Sequence, residues 1–311
     1  MTGRHARRSG RPIDGRPRVG RARHLAATLV LVATTVTTLA LQPAVAAGKG
    51  PVVSPCGRTI GRPHYDHVVW IVLENVGYAV VGSNQAPYLN GLASACGLAT
   101  NDWAVGHPSL PNYIALTSGS TQGVTDDGEP SVHRLTNASV FSQLGGRWRA
   151  LVESMRAPCD RVTNGLYAAR HNPAVYYAAL GAQCRRNDVP LVRPFSLGAS
   201  FTFIVPNICD DMHSCSISVG DAWLARTVPA ILSSREFQLH SLVLFITFDE
   251  NDSDPKNRVP TYVIAPSVPR GTRVGQPFTH YSLLRTTEAL LGLPPLGEAR
   301  HAASMIGPFD L

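Results

Sequence analysis

His67-Val-Val-Trp-Ile-Val-Leu73 is an unbroken, mostly β-branched apolar run in a sequence of 311 residues, and Glu74-Asn75 follow it directly. A run without polar alternation is the pattern of a strand buried on both faces, as in a parallel sheet covered by helices. Phe201-Thr-Phe-Ile-Val205 and Leu242-Val-Leu-Phe-Ile-Thr-Phe248 repeat it, and Val259 to Ala265 is a weaker fourth. Helix-like stretches lie between them at Pro87–Ala95, Ser109–Leu116, Val219–Ser233 and Thr279–Leu291; the last has Thr279 as an N-cap and Gly292 just past its end. Buried strands separated by helices predict an α/β fold, a single-domain sandwich with a largely parallel central sheet. Sheets of this kind carry their sites beyond the carboxyl ends of the strands.

The polar residues fall where that rule wants them. Glu74-Asn75 follow Leu73; Pro206-Asn207 and then Asp210-Asp211-Met212-His213 follow Val205; Asp249-Glu250-Asn251-Asp252 follow Phe248. Asn and Asp also make good turns and caps, but paired acids at three strand ends predict convergence on a cation. Carboxylate and amide oxygens suit a hard divalent ion such as Mg²⁺, Ca²⁺ or Mn²⁺, whereas zinc favours more His or thiolate. One oxygen-ligated divalent metal ion is therefore expected.

In Gly106-His-Pro-Ser-Leu-Pro-Asn-Tyr-Ile-Ala-Leu116 two prolines flank Ser109 where a helix should begin. A serine there can be an ordinary N-cap. It also lies among backbone N–H donors that favour an anion, and beside a cation its hydroxyl can act as a nucleophile towards phosphorus. His107, Arg170-His171, His213 and His280 sit at strand ends or helix starts, and such groups suit phosphate binding and leaving-group protonation. Protonated imidazoles would tie the activity to mildly acidic pH.

Arg4 to Arg23 form a positive stretch, Leu25 to Leu41 an apolar one and Ala44-Val-Ala-Ala47 a small-residue cleavage site, so residues 1–47 read as a secretory signal peptide. They hold eight of the chain's 28 basic residues and one of its 21 acidic ones. The remainder, twenty of each sign, argues against a bulk electrostatic binder of nucleic acid or anionic membrane. An extracellular protein without a transmembrane segment after cleavage is expected, with residues 48–63 a Gly, Pro and Ser rich lead-in. Six cysteines in an exported chain favour disulfides, and their order suggests Cys56–Cys96, Cys159–Cys184 and Cys209–Cys215 among fifteen possible pairings. The sequence contains no G-x-S-x-G, no G-x-x-x-x-G-K-[ST] and no G-x-G-x-x-G, which argues against an α/β-hydrolase esterase, nucleotide hydrolysis and dinucleotide binding.

His67-Val-Val-Trp-Ile-Val-Leu-Glu-Asn75, His107-Pro-Ser-Leu-Pro-Asn-Tyr-Ile-Ala-Leu-Thr-Ser-Gly119, Arg170-His-Asn-Pro173, Pro206-Asn-Ile-Cys-Asp-Asp-Met-His213, Thr247-Phe-Asp-Glu250 and Thr279-His-Tyr-Ser-Leu-Leu-Arg-Thr286 follow one another from about residue 65 to 290. In that order they resemble the phosphoesterase family of bacterial acid phosphatases and phospholipases C, within the alkaline phosphatase superfamily. The resemblance implies an alkaline phosphatase-like sandwich, with residues 64–311 as the phosphoesterase domain. It implies a secreted acid phosphatase acting on phosphate monoesters through a phosphoserine intermediate, with phosphoinositides such as phosphatidylinositol 3-phosphate at a membrane surface among its substrates. Ser109 would be the nucleophile, with His171, His213 and His280 catalytic; Arg170, His107 and Asn207 would bind substrate; Glu74, Asn75, Asp249 and Glu250 would hold the metal. Val76-Gly77 departs from the polar pair more usual in the family, which bears on substrate preference. A phospholipase C-type phosphodiesterase and a non-catalytic secreted binding protein are the alternatives.

Overall fold

The first buried run forms strand β1 (His67–Leu73), and the other two form β5 and β6 of one mixed, mostly parallel sheet. The computed structural model describes residues 54–58, 61, 63–252 and 256–311; the leader and most of the lead-in lie outside them. The strands are β1, β2 (Gly97–Trp103), β3 (Trp148–Val152), β4 (Asp188–Pro190), β5 (Phe201–Val205), β6 (Leu242–Phe248), β7 (Arg258–Ile264), β8 (Arg273–Val274) and β9 (Phe278–Thr279). Their spatial order is β4-β3-β5-β1-β6-β7-β2-β8, with β9 also on β2. From β4 to β6 every pairing is parallel; β7 runs antiparallel to both β6 and β2. All of β5 and β6, and all of β1 after His67, is buried. Successive strand side chains point to opposite faces, so both faces of this central part are covered.

The covering helices are α1 (Pro87–Ala95), α2 (Ser109–Ser118), α3 (Val140–Leu144), α4 (Ala182–Asn187), α5 (Ile217–Leu232), α6 (Arg235–Gln238) and α7 (His280–Leu290). Helix α2 packs against α7 and α1 against α5. On the α7 side Trp70 donates from Nε1 to Thr287 Oγ1 at 3.0 Å and meets Phe201 edge to face with centroids 4.8 Å apart. Each such fully buried apolar side chain contributes roughly 1.5–3 kcal/mol. At the other contact the Asp221 carboxylate of α5 accepts the N–H groups of Tyr88 and Leu89, both at 2.9 Å, so one helix caps the start of the next.

Thr279 does take the N-cap of α7, its N–H donating to Ser282 Oγ at 3.1 Å. Helix α2 extends two residues beyond its expected end and stops at Gly119, whose φ of +74° and close approach to the Leu296 carbonyl leave no room for a Cβ. All three disulfides pair in sequence order: Cys56–Cys96, Cys159–Cys184 and Cys209–Cys215. No helix among the described residues is long and apolar enough to cross a membrane.

Candidate active site

The sheet order β5-β1-β6 brings the three polar strand ends side by side. In the β1–β6 register Leu73 lies opposite Phe248, so the next residues, Glu74 and Asp249, leave adjacent strands together. Asp249 N–H then donates to the Leu73 carbonyl at 2.9 Å, and Glu74 N–H to the Asp211 carbonyl at 2.8 Å. Asn75 holds φ at +54°, a left-handed turn that Asn tolerates better than most residues, and gives its N–H to Asp249 Oδ1 at 3.1 Å.

Ser109 enters this cluster at the first turn of α2. The helix is capped by Pro108, after a cis His107–Pro108 bond. The Ser109 hydroxyl does not cap its own helix: it donates to Glu74 Oε2 at 2.9 Å. Asn112 braces the entry, its Oδ1 accepting the N–H groups of Val105 and Gly106, both at 3.0 Å, while Nδ2 donates to the Gly106 carbonyl at 2.8 Å. One turn after Ser109, Tyr113 donates its hydroxyl to the other Glu74 oxygen. Asp127 accepts Leu110 N–H at 2.9 Å. Asn112 and Tyr113 stand three and four residues from Ser109, a spacing that marks one helix face and could have singled them out; Asp127 reaches the helix only through the tertiary fold.

The carboxylates here are unusually hard to ionise. Burial, with Asp249 and Asp211 nearby, holds Glu74 well above the ordinary range, and burial with Glu250 does the same to Asp249. Burial also raises Glu250 and Asp211 to about 7 each. Buried acids crowded together need protons or a cation. Asp249 Oδ2 is buried without a hydrogen-bond partner among the described residues, so this donor set fits a hard divalent ion. Among the described residues Glu74, His171 and Asp211 form a set of acidic and imidazole donors whose ligand atoms all lie within 4.8 Å of one another. Glu74 is common to that set and to the expected one.

His171 is buried, with Nδ1 3.0 Å from Asp211 Oδ2 and Nε2 3.3 Å from Glu74 Oε2. Burial, with Arg170 and His213 adjacent, holds it well below the usual imidazole range, so the ring is neutral. Donating Nδ1–H to Asp211 leaves the Nε2 lone pair directed at the cluster. His213 lies at the rim, its Nε2 3.1 Å from Arg170 Nη2, and burial followed by that guanidinium lowers it too. The Cys209–Cys215 bridge closes the short loop that presents Asp211 and His213. Arg170 Nε stands 3.8 Å from Asp127, and half-exposed His107 places Nδ1 2.7 Å from Glu250 Oε2.

Two expected site residues do other work. Asn207 is used in its own turn, donating to Asp210 Oδ2 at 3.0 Å and accepting the N–H groups of Cys209 and Asp210, and among the described residues it makes no hydrogen bond to Ser109, Glu74 or Asp249. His280 is fully buried and donates from Nε2 to the Asp249 backbone carbonyl; burial lowers it to about 4. It steadies a carboxylate-bearing strand end. His171 and His280, two of the imidazoles expected to carry charge at mildly acidic pH, are thus held neutral in the free protein.

The profile described as Phosphoesterase family matches residues 78–294. Phosphatidylinositol-3-phosphatase of Mycobacterium tuberculosis is 31% identical over 251 residues, covering 77% of this chain and 81% of that one. Phosphate-repressible acid phosphatase of Penicillium chrysogenum is 30% identical over 271 residues; the match takes in 78% of this chain but spans only 63% of the fungal protein. A solved structure of an alkaline phosphatase superfamily protein from Vibrio parahaemolyticus has the same fold, with a TM-score of 0.54 at 11% identity over 78% of this chain and 71% of that one.

Proposed function

The chain belongs to the phosphoesterase family, and from that premise we propose that it is a phosphoric monoester hydrolase with Ser109 as its nucleophile. The carrying observation is the buried Ser109 hydroxyl at the first turn of α2, hydrogen-bonded to Glu74 inside a cluster of acids that resist ionisation. The relatives named acid phosphatase and phosphatidylinositol-3-phosphatase support this activity, and a phosphoinositide at a membrane surface is the substrate we assign.

The Ser109 proton is directed at Glu74 Oε2, so that carboxylate accepts it as Oγ forms its bond to phosphorus. Arg170 and His213 are placed to meet the phosphate oxygens. A phosphate dianion beside His213 favours the imidazolium, whose proton goes to the departing alkoxide as its bond to phosphorus breaks. Water then attacks the phosphoserine and gives one proton to the now neutral His213, the bond from phosphorus to Oγ breaks, Glu74 returns its proton to Oγ, and inorganic phosphate leaves. Glu74, Asn75, Asp249 and Glu250 would hold a divalent ion, which would supply positive charge to stabilise the serine oxygen and the transferring group. Asp211 orients His171, and Asn112 and Tyr113 fix the start of α2 and Glu74. The three disulfides and the leader-like N-terminal sequence support export of the protein from the cell.

Phosphate released from an aryl phosphate by the oxidised protein, and lost with a chelator, is the expected result. Diacylglycerol release from phosphatidylcholine without phosphate release from monoesters would replace this reading with the phosphodiesterase one.

A further inference from the structure

Three of the six exposed large apolar side chains among the described residues, Val132 (68% exposed), Val162 (58%) and Leu166 (48%), stand on two loops, 129–134 and 160–166. The loops are held together, Thr163 N–H donating to Glu129 Oε2 at 3.3 Å. Between them lies a cleft of about 550 Å³ whose lining includes Val162, Tyr176, Arg134 and Arg161. Neither Arg134 nor Arg161 forms an ion pair among the described residues, whereas the acids alongside are engaged: Asp126 with His133, Asp127 with Arg170 and Asp160 with Arg156. Glu129, the carboxylate lining the cleft, is used by Thr163.

Both loops lead into the active site. The first follows Asp127, which touches the start of α2 and Arg170. The second runs into Arg170-His171, and Ile208 N–H donates to the Leu166 carbonyl at 3.0 Å, tying its tip to the segment that carries Asp211 and His213. Scattered exposed aliphatics are ordinary, but three on two joined loops, beside guanidinium groups with no ion pair among the described residues and an active-site rim, have the chemistry of an interfacial contact.

We propose that these two loops seat the protein on an anionic lipid surface and so present a membrane-borne phosphate ester to Ser109, an inference that rests on the phosphatase reading above. Aliphatic side chains enter the headgroup boundary while Arg134 and Arg161 meet lipid phosphates. A chain with balanced overall charge outside its first 47 residues needs both contributions, because neither alone gives a stable attachment.

The test uses the oxidised protein with vesicles of phosphatidylcholine, of phosphatidylcholine with phosphatidylserine, and of phosphatidylcholine with phosphatidylinositol 3-phosphate. Sedimentation reads binding, phosphate release reads vesicle turnover, and an aryl phosphate reads the intact active site. The triple variant Val132→Ser, Val162→Ser, Leu166→Ser should lose about tenfold or more in vesicle binding and vesicle turnover and keep aryl phosphate turnover within about twofold. Arg134→Gln with Arg161→Gln should lose the preference for anionic over neutral vesicles. Wild-type protein that stays unbound with every vesicle, or a triple variant that binds and hydrolyses vesicle substrate like wild type, overturns the proposal. Sedimentation does not depend on turnover, so vesicle binding without aryl phosphate hydrolysis would count against the phosphatase reading and leave the seating intact.

Discussion

Asp249 makes two separable contributions through its two oxygens. Oδ1 accepts Asn75 N–H, and Oδ2 is buried with no hydrogen-bond partner among the described residues. Asp249→Asn keeps the first and removes the buried charge. Activity should fall about a hundredfold, the scale seen when electrostatic stabilisation of a transferring group is removed. The chelated variant should melt no lower than chelated wild type, because burial and Glu250 already disfavour the ionised carboxylate. Adding Mg²⁺, Ca²⁺ or Mn²⁺ should raise the melting temperature of wild type and leave the variant unmoved. A chelated variant melting several degrees below chelated wild type would make Asp249 a structural residue instead. At this scale much was legible: Ser109, Glu74 and Asp249 could be read from where they stop a buried run or open a helix. Asn207, expected to bind substrate, was less legible, because Asn after a strand serves a turn as readily as a ligand, and here its side chain accepts hydrogen bonds within its own turn.

The elements divide by how much of their apolar pattern is local. β5, β6 and all of β1 after His67 are buried and declare themselves as continuous apolar runs. β2 does not: its second half is Thr-Asn-Asp-Trp, its pairing with β7 shifts register between Ala99 and Asp102, and Asp102 is buried against Thr261. β4 is only three residues at the sheet edge, too short for any period to show. It carries Asp188, fully buried, which accepts from Asn172 Nδ2 at 3.1 and 3.0 Å. Burial raises Asp188 to about 7 from an ordinary 3.8. Between those values the unfolded chain has released a proton that the folded one keeps, so this residue's contribution to stability is full below about pH 4 and is lost as pH rises to about 7. Asp188→Asn retains an oxygen acceptor for Asn172 and cannot titrate. The variant's melting temperature should therefore decline less than wild type's from pH 4 to pH 7, as followed by calorimetry; parallel curves would show that Asp188 is ionised in the fold.

Across the whole molecule, one feature of topology turns separate sequence motifs into a site. The strand ends after Val205, Leu73 and Phe248 are neighbours because the order is β5-β1-β6, while α2 brings Ser109 to them from between β2 and β3 in the chain. The sequence shows that polar clusters end buried strands, but strand order and register decide that Glu74 meets Asp249 and that His171 reaches Asp211 across 40 residues. Asp127 and the two exposed loops beyond it depend wholly on that assembly. The central claim, covalent catalysis by Ser109, is tested most directly by acid-quenching the protein during turnover of an aryl phosphate and mapping the phosphorylated peptide. Phosphate on Ser109, absent from Ser109→Ala together with turnover, is the predicted result. Phosphate on His171 or His213, or an Ser109→Ala variant that turns over like wild type, would contradict it.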